Sequence, residues 1–399
     1  MTIVHITLNH YPEGKRGVEV YVHELLEELS KRHRVILFTR SASVEAPRIE
    51  FNGTYHLFKI PRHAGDRRAR RYFFQCVRNF KPDIINIHQF PGLGRGNLHT
   101  LLKINIPYVV SFHEYSLFCQ RVWLMKDAQA RCSFPREDCA QCKYPENFVR
   151  RSFYRHKVRR RRRDLLAVTN NAAALISPSH SMKQNLAAFG VENEDFNVLR
   201  LGIRRGKVVM RRAPVRRGDD ISIGFIGSIA FHKGVAVLLE AMHLAGISNQ
   251  VLLYGKIRQQ EARDIEALIR KTPRVELMGE FDNADIMKVL EKIAILVAPS
   301  IWEEPFCLVV DEARAAGIPV VTTTIGAMPE RIIDGKNGFL VEPGSAEMLA
   351  DKLRWLVANY DSVLSTLDVT HNLSTIEENA AFYEQVYERI REHRSKVRS

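Results

Sequence analysis

The sequence predicts two α/β domains, each built on a parallel sheet. Three observations carry that expectation. At 399 residues the chain is long for a single core, since cores stop growing near roughly 250–300 residues. Short β-branched runs alternate with amphipathic helical stretches along its length, the pattern of strands joined by helices in parallel sheets. The alternation breaks once, at RRGKVVMRRAPVRRGDD, Arg204 to Asp220, which is basic, holds Gly and Pro, and has no clear period.

The strands expected before that break are Ile3–Leu8, Val35–Thr39, Ile84–His88, Tyr108–Phe112, Ala174–Ser177 and Asn197–Leu201. After it come Ile221–Gly227, Val251–Tyr254, Val275–Met278, Ile293–Ala298, Val320–Thr322 and Phe339–Val341. From Glu377 to Ile390, apolar residues at Ala381, Tyr383, Val386, Tyr387 and Ile390 recur at helical spacing. The expected division is residues 1–203, 204–370 and a terminal helical segment, 371–399. Facing doubly wound domains of this kind bind ligands in a cleft at the carboxyl ends of their strands.

Composition excludes several classes. The chain is 45% hydrophobic and 26% charged, ordinary for a globular protein, and no apolar run reaches the ~18 residues of a membrane span. Ile3 to Leu8 lacks a basic leader and a cleavage site, so it reads as a strand rather than a signal peptide, and a cytoplasmic address is expected. Six cysteines in so long a chain do not make a secreted disulfide scaffold.

Two strand-to-helix turns suit an anion. GFIGSIAFHKGVAVLLEAM offers Gly227-Ser228 as a turn and Lys233-Gly234 opening a helix, so backbone amides and a lysine can converge. PEGKRGVEVYVHELLEEL repeats the logic with Gly14 and Gly17. Either turn alone is ordinary geometry. Neither fits G-x-G-x-x-G or the P-loop, which removes support for nicotinamide or ATP. In EEPFCLVVDEARAAGIPVV, Glu304 precedes Pro305, and Glu312 sits among Leu308, Val309, Val310, Ala313 and Ala316. A carboxylate on an apolar face has a partner as a rule. A helix starting at Pro305 puts the two carboxylates ~12 Å apart along its axis.

The longer string EEPFCLVVDEARAAGIPVVTTTIGAMPERIIDGKNGFLVEPGSAEMLADKL resembles the donor half of family 4 retaining glycosyltransferases, which have the two-domain GT-B fold. RGVEVYVHELLEEL, PDIINIH, IPYVVSFHEY, ALISPSHSMKQNL, GFIGSIAFHKGVAVLLEAM and ILVAPSIWEEPF follow the family's order over nearly the whole chain. The resemblance implies transfer of a glycosyl unit from a nucleoside diphosphate sugar to a saccharide or lipid-linked acceptor, with no nucleic-acid partner. It makes residues 1–203 the acceptor domain, 204–370 the donor domain, and 371–399 a helix crossing back to the first domain. It gives Glu312 the ribose hydroxyls, and Glu304 with the amides of Phe306, Cys307 and Leu308 the hexose and phosphates. Lys233 neutralises the leaving phosphate, Gly17 approaches from the first domain, and His113 lies beside the reacting sugar, where a cap or core histidine is the alternative. His113, Lys233 and Glu304 are thus the implied catalytic residues. The departing phosphate takes the acceptor's proton on the same face.

Two departures from the family stand out: Ser228, beside Gly227, replaces a common arginine, and Cys307 replaces a usual glycine. No Asp-x-Asp is present, so no catalytic metal or other cofactor is expected. Phosphate charge then falls to Lys233, helix dipoles and backbone amides.

Cys119, Cys132, Cys139 and Cys142 fit either a structural zinc site of four thiolates or a loop of reduced thiols. The net charge of +14 concentrates in RRSFYRHKVRRRRR, Arg150 to Arg163, and RRARRYFFQCVRNF, Arg67 to Phe80. These are either solvated helix faces or, with their aromatic residues, a surface that rests on anionic lipid at the inner face of the cell membrane. Two rival functions remain at this level: a nucleotide-sugar epimerase of the same fold, and a basic nucleic-acid-binding protein.

Overall fold

The computed structural model describes the chain except residues 95–96, 120, 127–129, 133–138, 145, 205–217, 369–370 and 399. Most of the expected interdomain connection therefore lies outside the described residues. Two compact units result, Met1–Val122 with Ser133–Gly202 and Ser374–Ser399, and Trp123–Cys132 with Ile203–Leu373.

Among the described residues the first unit holds eight strands: β1 (Thr2–Ile6), β2 (Arg34–Ser41), β3 (Arg48–Phe51), β4 (His56–Pro61), β5 (Ile84–Ile87), β6 (Tyr108–Ser111), β7 (Ala174–Ser177) and β8 (Phe196–Val198). They order as β3-β4-β2-β1-β5-β6-β7-β8. All pairs are parallel except β3 with β4. That edge hairpin is absent from the sequence reading. β3 is mostly exposed, so it carries no apolar alternation, and Lys59 and Pro61 interrupt the β-branched signal of β4.

The helices that follow its strands are α1 (Gly17–Leu29), α2 (Asp66–Phe80), α3 (Leu98–Lys103), α4 (Cys139–Lys143), α5 (Phe148–Asn170) and α6 (His180–Ala188). Side-chain caps begin α5 and α6, where Asn147 and Ser179 each accept from an otherwise unpaired first-turn amide.

The second unit's sheet is wholly parallel: β9 (Ile223–Ile226), β10 (Val251–Tyr254), β11 (Val275–Gly279), β12 (Ile295–Ala298), β13 (Val320–Thr323) and β14 (Phe339–Val341), ordered β11-β10-β9-β12-β13-β14. Its helices are α7 (Val235–Ala245), α8 (Ala262–Lys271), α9 (Ile286–Leu290), α10 (Leu308–Ala315), α11 (Ala346–Ala358) and α12 (Tyr360–Thr366). Side chains alternate along each strand, so Val251 and Leu253 enter one apolar cluster while Leu252 and Tyr254 enter the other. Both faces are covered, which is why these strands read as unbroken apolar runs.

The last helix, α13 (Ile376–Arg398), belongs to the first unit and packs on α1. Its anchors are polar as well as apolar. Tyr21 Oη donates to Asn379 Oδ1 at 2.8 Å, Asn379 Nδ2 donates to the Arg200 carbonyl at 3.0 Å, and Asn86 Nδ2 donates to Tyr387 Oη at 2.7 Å. Tyr383 Oη donates to Ser111 Oγ at 3.0 Å. Gly202 is required beside this helix, because a Cβ there would lie 2.1 Å from the Thr375 carbonyl oxygen.

Candidate functional site

In the second sheet the strand order reverses between β9 and β12, and α/β sheets bind ligands outside the carboxyl ends of strands at such a point. The loop after β9 carries Gly227, Ser228 and, in the short turn Phe231–Lys233, the expected lysine. The loop after β12 carries Ser300 and Glu304. Gly234 holds the two loops together: its φ is +77°, and a Cβ would lie 1.8 Å from the Pro299 carbonyl oxygen. Only glycine permits that approach.

The result is a tight ion pair. Lys233 Nζ lies 2.5 Å from Glu304 Oε1, and Glu304 Oε2 accepts from Ser300 Oγ at 3.0 Å. Burial lowers the Lys233 pKa, but the charge of Glu304 outweighs it and holds the ammonium above its ordinary value. Glu304 is itself buried, and its backbone is fixed from the far side, where its carbonyl accepts from Ala327 N at 2.9 Å. Gly326, at φ +62°, makes that contact possible, since a Cβ would lie 2.5 Å from both Glu304 N and O.

The helix after Glu304 starts later than the sequence suggests. α10 begins at Leu308 with Cys307 as its N-cap, so Pro305 is not its first residue, and the ~12 Å helical span does not apply. The reason is the backbone of Glu304, which is committed to Trp302 O and Ala327 N and cannot enter a helical ladder. Glu312 does lie within α10 and is buried, as is Asp311 beside it. Burial raises the Cys307 thiol to about 12, with the Glu304 charge adding to it, so this cysteine stays protonated and is no nucleophile.

A buried charge cluster escaped the sequence reading. Asp311 Oδ1 accepts from Arg314 NH1 at 3.0 Å, and Asp311 Oδ2 pairs with Arg331. The Arg331 guanidinium lies 3.5 Å from the centre of the Phe306 ring, a cation–π contact that fixes this residue just before α10. The available signal was the i,i+3 spacing of Asp311 and Arg314 on an apolar helix. Arg331 gave none, being 20 residues away in sequence.

The chain matches two family models, Glycosyltransferase Family 4 over residues 15–205 and Glycosyl transferases group 1 over residues 220–359. It belongs to glycosyltransferase family 4. An uncharacterized glycosyltransferase of Methanocaldococcus jannaschii is 30% identical over 143 residues, 35% of this chain and 39% of the relative. The capsular polysaccharide biosynthesis glycosyltransferase of Staphylococcus aureus is 24% identical over 218 residues, 51% of this chain and 54% of the relative. These matches thus span about half or less of the relatives' lengths. Sucrose-phosphate synthase from Thermosynechococcus elongatus superposes with a TM-score of 0.75 at 21% identity, over 98% of both chains. An Anabaena protein solved with UDP-glucose gives a TM-score of 0.66 at 17% identity, over 99% of this chain and 100% of that one. The two parallel-sheet units therefore have the GT-B fold.

The family's expected residues in the first unit fall near its own strand-order reversal, between β1 and β5. Gly17 opens α1. His113 follows β6 by two residues, and its ring Nε2 lies 2.9 Å from His88 Nδ1. Burial lowers its pKa to about 3, so it is a neutral hydrogen-bonding group, not a charged one. Glu19, not singled out from sequence, is buried beside Gly14, and burial raises its carboxyl pKa.

Among the described residues no group of three or more His, Cys, Asp or Glu side chains is placed to hold a metal. The segment between Cys132 and Cys139, 133–138, lies outside those residues. The arginine segments divide. Phe73 of α2 is fully buried, so that helix turns part of its aromatic face to the core. In α5, by contrast, Phe148, Val149 and Phe153 are 71%, 78% and 70% exposed. Among the described residues no helix is long and apolar enough to cross a membrane.

Proposed function

We propose that this chain transfers a sugar from a nucleoside diphosphate donor to an acceptor hydroxyl, with retention at the anomeric carbon. The observation that carries the reading is the Lys233–Glu304 pair at the β9/β12 reversal, one loop away from the amino end of α10. A lysine ammonium and a helix N-terminus attract a diphosphate. Glu304, with its two oxygens already aimed by Lys233 and Ser300, is an acceptor for sugar hydroxyls. Glu312 is the ribose partner in this reading, and Phe306, Cys307 and Leu308 supply backbone amides.

The chemistry asked of the protein is positioning and charge stabilisation. As the sugar–phosphate bond breaks, negative charge grows on the departing oxygen, and Lys233 is the cation beside it. That oxygen takes the proton of the incoming acceptor hydroxyl on the same face of the sugar. No side chain is then needed as a charged base, in keeping with a neutral His113.

We further propose a lipid-borne acceptor. The exposed apolar residues of α5 stand within its arginines, a composition that settles on anionic bilayers. The test of the donor reading is a thermal-shift screen of nucleoside diphosphate sugars, begun with UDP-glucose because the Anabaena neighbour was solved with it. A bound donor raises the melting temperature by mass action. No shift with any nucleotide sugar, and no release of labelled sugar to water or acceptor, overturns it.

A further inference from the structure

Three buried histidines form a continuous chain in the first unit. His5 lies in β1, His88 follows β5, and His113 follows β6. His5 Nδ1 lies 3.0 Å from His88 Nε2, and His88 Nδ1 lies 2.9 Å from His113 Nε2. Both outer atoms, His5 Nε2 and His113 Nδ1, are buried with no hydrogen-bond partner among the described residues. Tyr21 of α1 lies against His113, and Tyr383 and Tyr387 of α13 lie against His88 and His5, so the rings are held from two helices.

A neutral imidazole has one N–H and one lone pair. Burial keeps all three rings neutral. Two contacts among three such rings can both be hydrogen bonds in only two ways. In one, every Nδ1 carries the proton, and His113 Nδ1 is a donor. In the other, every Nε2 carries it, and His113 Nδ1 is an acceptor. A mixed arrangement sets two protons or two lone pairs face to face across about 3 Å, which a buried site does not tolerate. The hydrogen at the far end of the chain therefore fixes the character of the atom at the near end.

We propose that His88 and His5 are positioning residues for His113: they hold its Nε2 and set its tautomer, and so decide whether its buried Nδ1 is a donor or an acceptor. The inference rests on the reading that His113 lies at the sugar, but the coupling of the three rings does not. His5 sits one strand beyond His88, and its part is to decide whether His113 Nδ1 carries a hydrogen or a lone pair.

The experiment is heteronuclear NMR of the full chain with isotope-labelled histidine nitrogens, each ring assigned by single substitution. At neutral pH the three rings are expected to be uncharged and to share one tautomer. Rings in different tautomers, or a charged His113, overturn the proposal. In His88→Phe, His113 is expected to populate both tautomers, and kcat to fall about 10- to 100-fold while the dissociation constant of UDP stays within about twofold. His88→Gln, which again offers a donor and an acceptor, is expected to recover most of kcat. An unchanged His113 tautomer or an unchanged kcat in His88→Phe counts against the idea. Should that variant not fold, His5→Phe leaves the His88–His113 bond in place and tests the far end alone: a shifted tautomer balance at His113 supports the coupling, and an unshifted one overturns it. The spectra need no sugar donor, so failure of the relay and failure of the transferase reading are separable.

Discussion

Lys233 and Glu304 come from different loops and meet at 2.5 Å because Gly234 lets one loop press directly on Pro299 of the other. That contact makes the pair a property of the sheet rather than of two mobile side chains. Each partner thus has an electrostatic job within the fold and, in the proposed function, a second one toward a ligand.

The two jobs separate by mutation. Lys233→Ala is expected to lower turnover by two to three orders of magnitude and to destabilise the fold by roughly 3–5 kcal/mol, because Glu304 is left buried without its cation. Adding Glu304→Gln removes the uncompensated charge. The double variant should regain most of the lost stability and none of the turnover. Calorimetry and steady-state kinetics on the three proteins decide it. Turnover within threefold of wild type in Lys233→Ala would falsify the phosphate role.

Glu312→Gln should weaken nucleotide binding about tenfold, roughly 1.4 kcal/mol, since an amide oxygen accepts more weakly from ribose hydroxyls than a carboxylate. The comparison to make is UDP against inorganic diphosphate by titration calorimetry. Loss confined to UDP fits the ribose contact, and equal loss for both ligands contradicts it.

How much of this was legible in the residues depends on the kind of signal. Parallel strands buried on both faces announce themselves, as Val251 to Tyr254 and Ile295 to Ala298 do, because every position is apolar. The β3–β4 hairpin was invisible because an exposed edge strand carries no period. Glu304 and Lys233 were found from local motifs, yet their pairing rests on Gly234 and Gly326, whose need appears only when two loops are packed. The start of α10 was misplaced for the same reason: Pro305 looks like a first helical residue until Ala327 claims the Glu304 carbonyl. The histidine chain was half legible, since the sequence reading singled out His113 just after a strand, but nothing in sequence links residues 5, 88 and 113.

Acid should unfold the protein through these rings. His5, His113 and His232 have pKa values lowered to about 3, chiefly by burial, and His88 is lowered as well. An unfolded imidazole titrates near ~6.5. Between those values the unfolded chain binds protons that the folded chain refuses, so stability is full above about 6.5 and falls as pH drops toward 3, by up to about 1.4 kcal/mol per pH unit for each ring. Urea midpoints measured from pH 7 to pH 5 should fall steeply, and His5→Phe should give a shallower slope. Parallel slopes for wild type and variant would mean that His5 is not neutral in the folded chain.

Membrane docking makes the most selective demand on particular residues. In α5, Arg159, Arg160 and Arg163 are exposed, whereas Arg162 donates to the Phe189 carbonyl and lies over its ring at 4.4 Å, and Arg161 donates to the Ser116 carbonyl. Of these five, Arg159, Arg160 and Arg163 can reach lipid phosphates at least cost to the helix, Arg160 and Arg163 leaving long contacts to Asp164 of 4.0 and 3.7 Å. Replacing those three by Ser should reduce binding to anionic vesicles by about 100-fold, at roughly fivefold (about 1 kcal/mol) per basic residue. Phe148→Ser with Phe153→Ser should weaken binding at every salt concentration, because those rings act by burial, while the arginine effect should fade as salt screens the surface potential. Arg162→Ser should instead lower the melting temperature. Donor binding by the second unit should be the same in all of them, and transfer to a short soluble acceptor should persist where transfer to a lipid-borne one is lost. Cosedimentation with neutral and anionic vesicles at low and high salt reads each outcome. Equal binding to both vesicle types would show that the arginines of α5 serve only to solvate the helix.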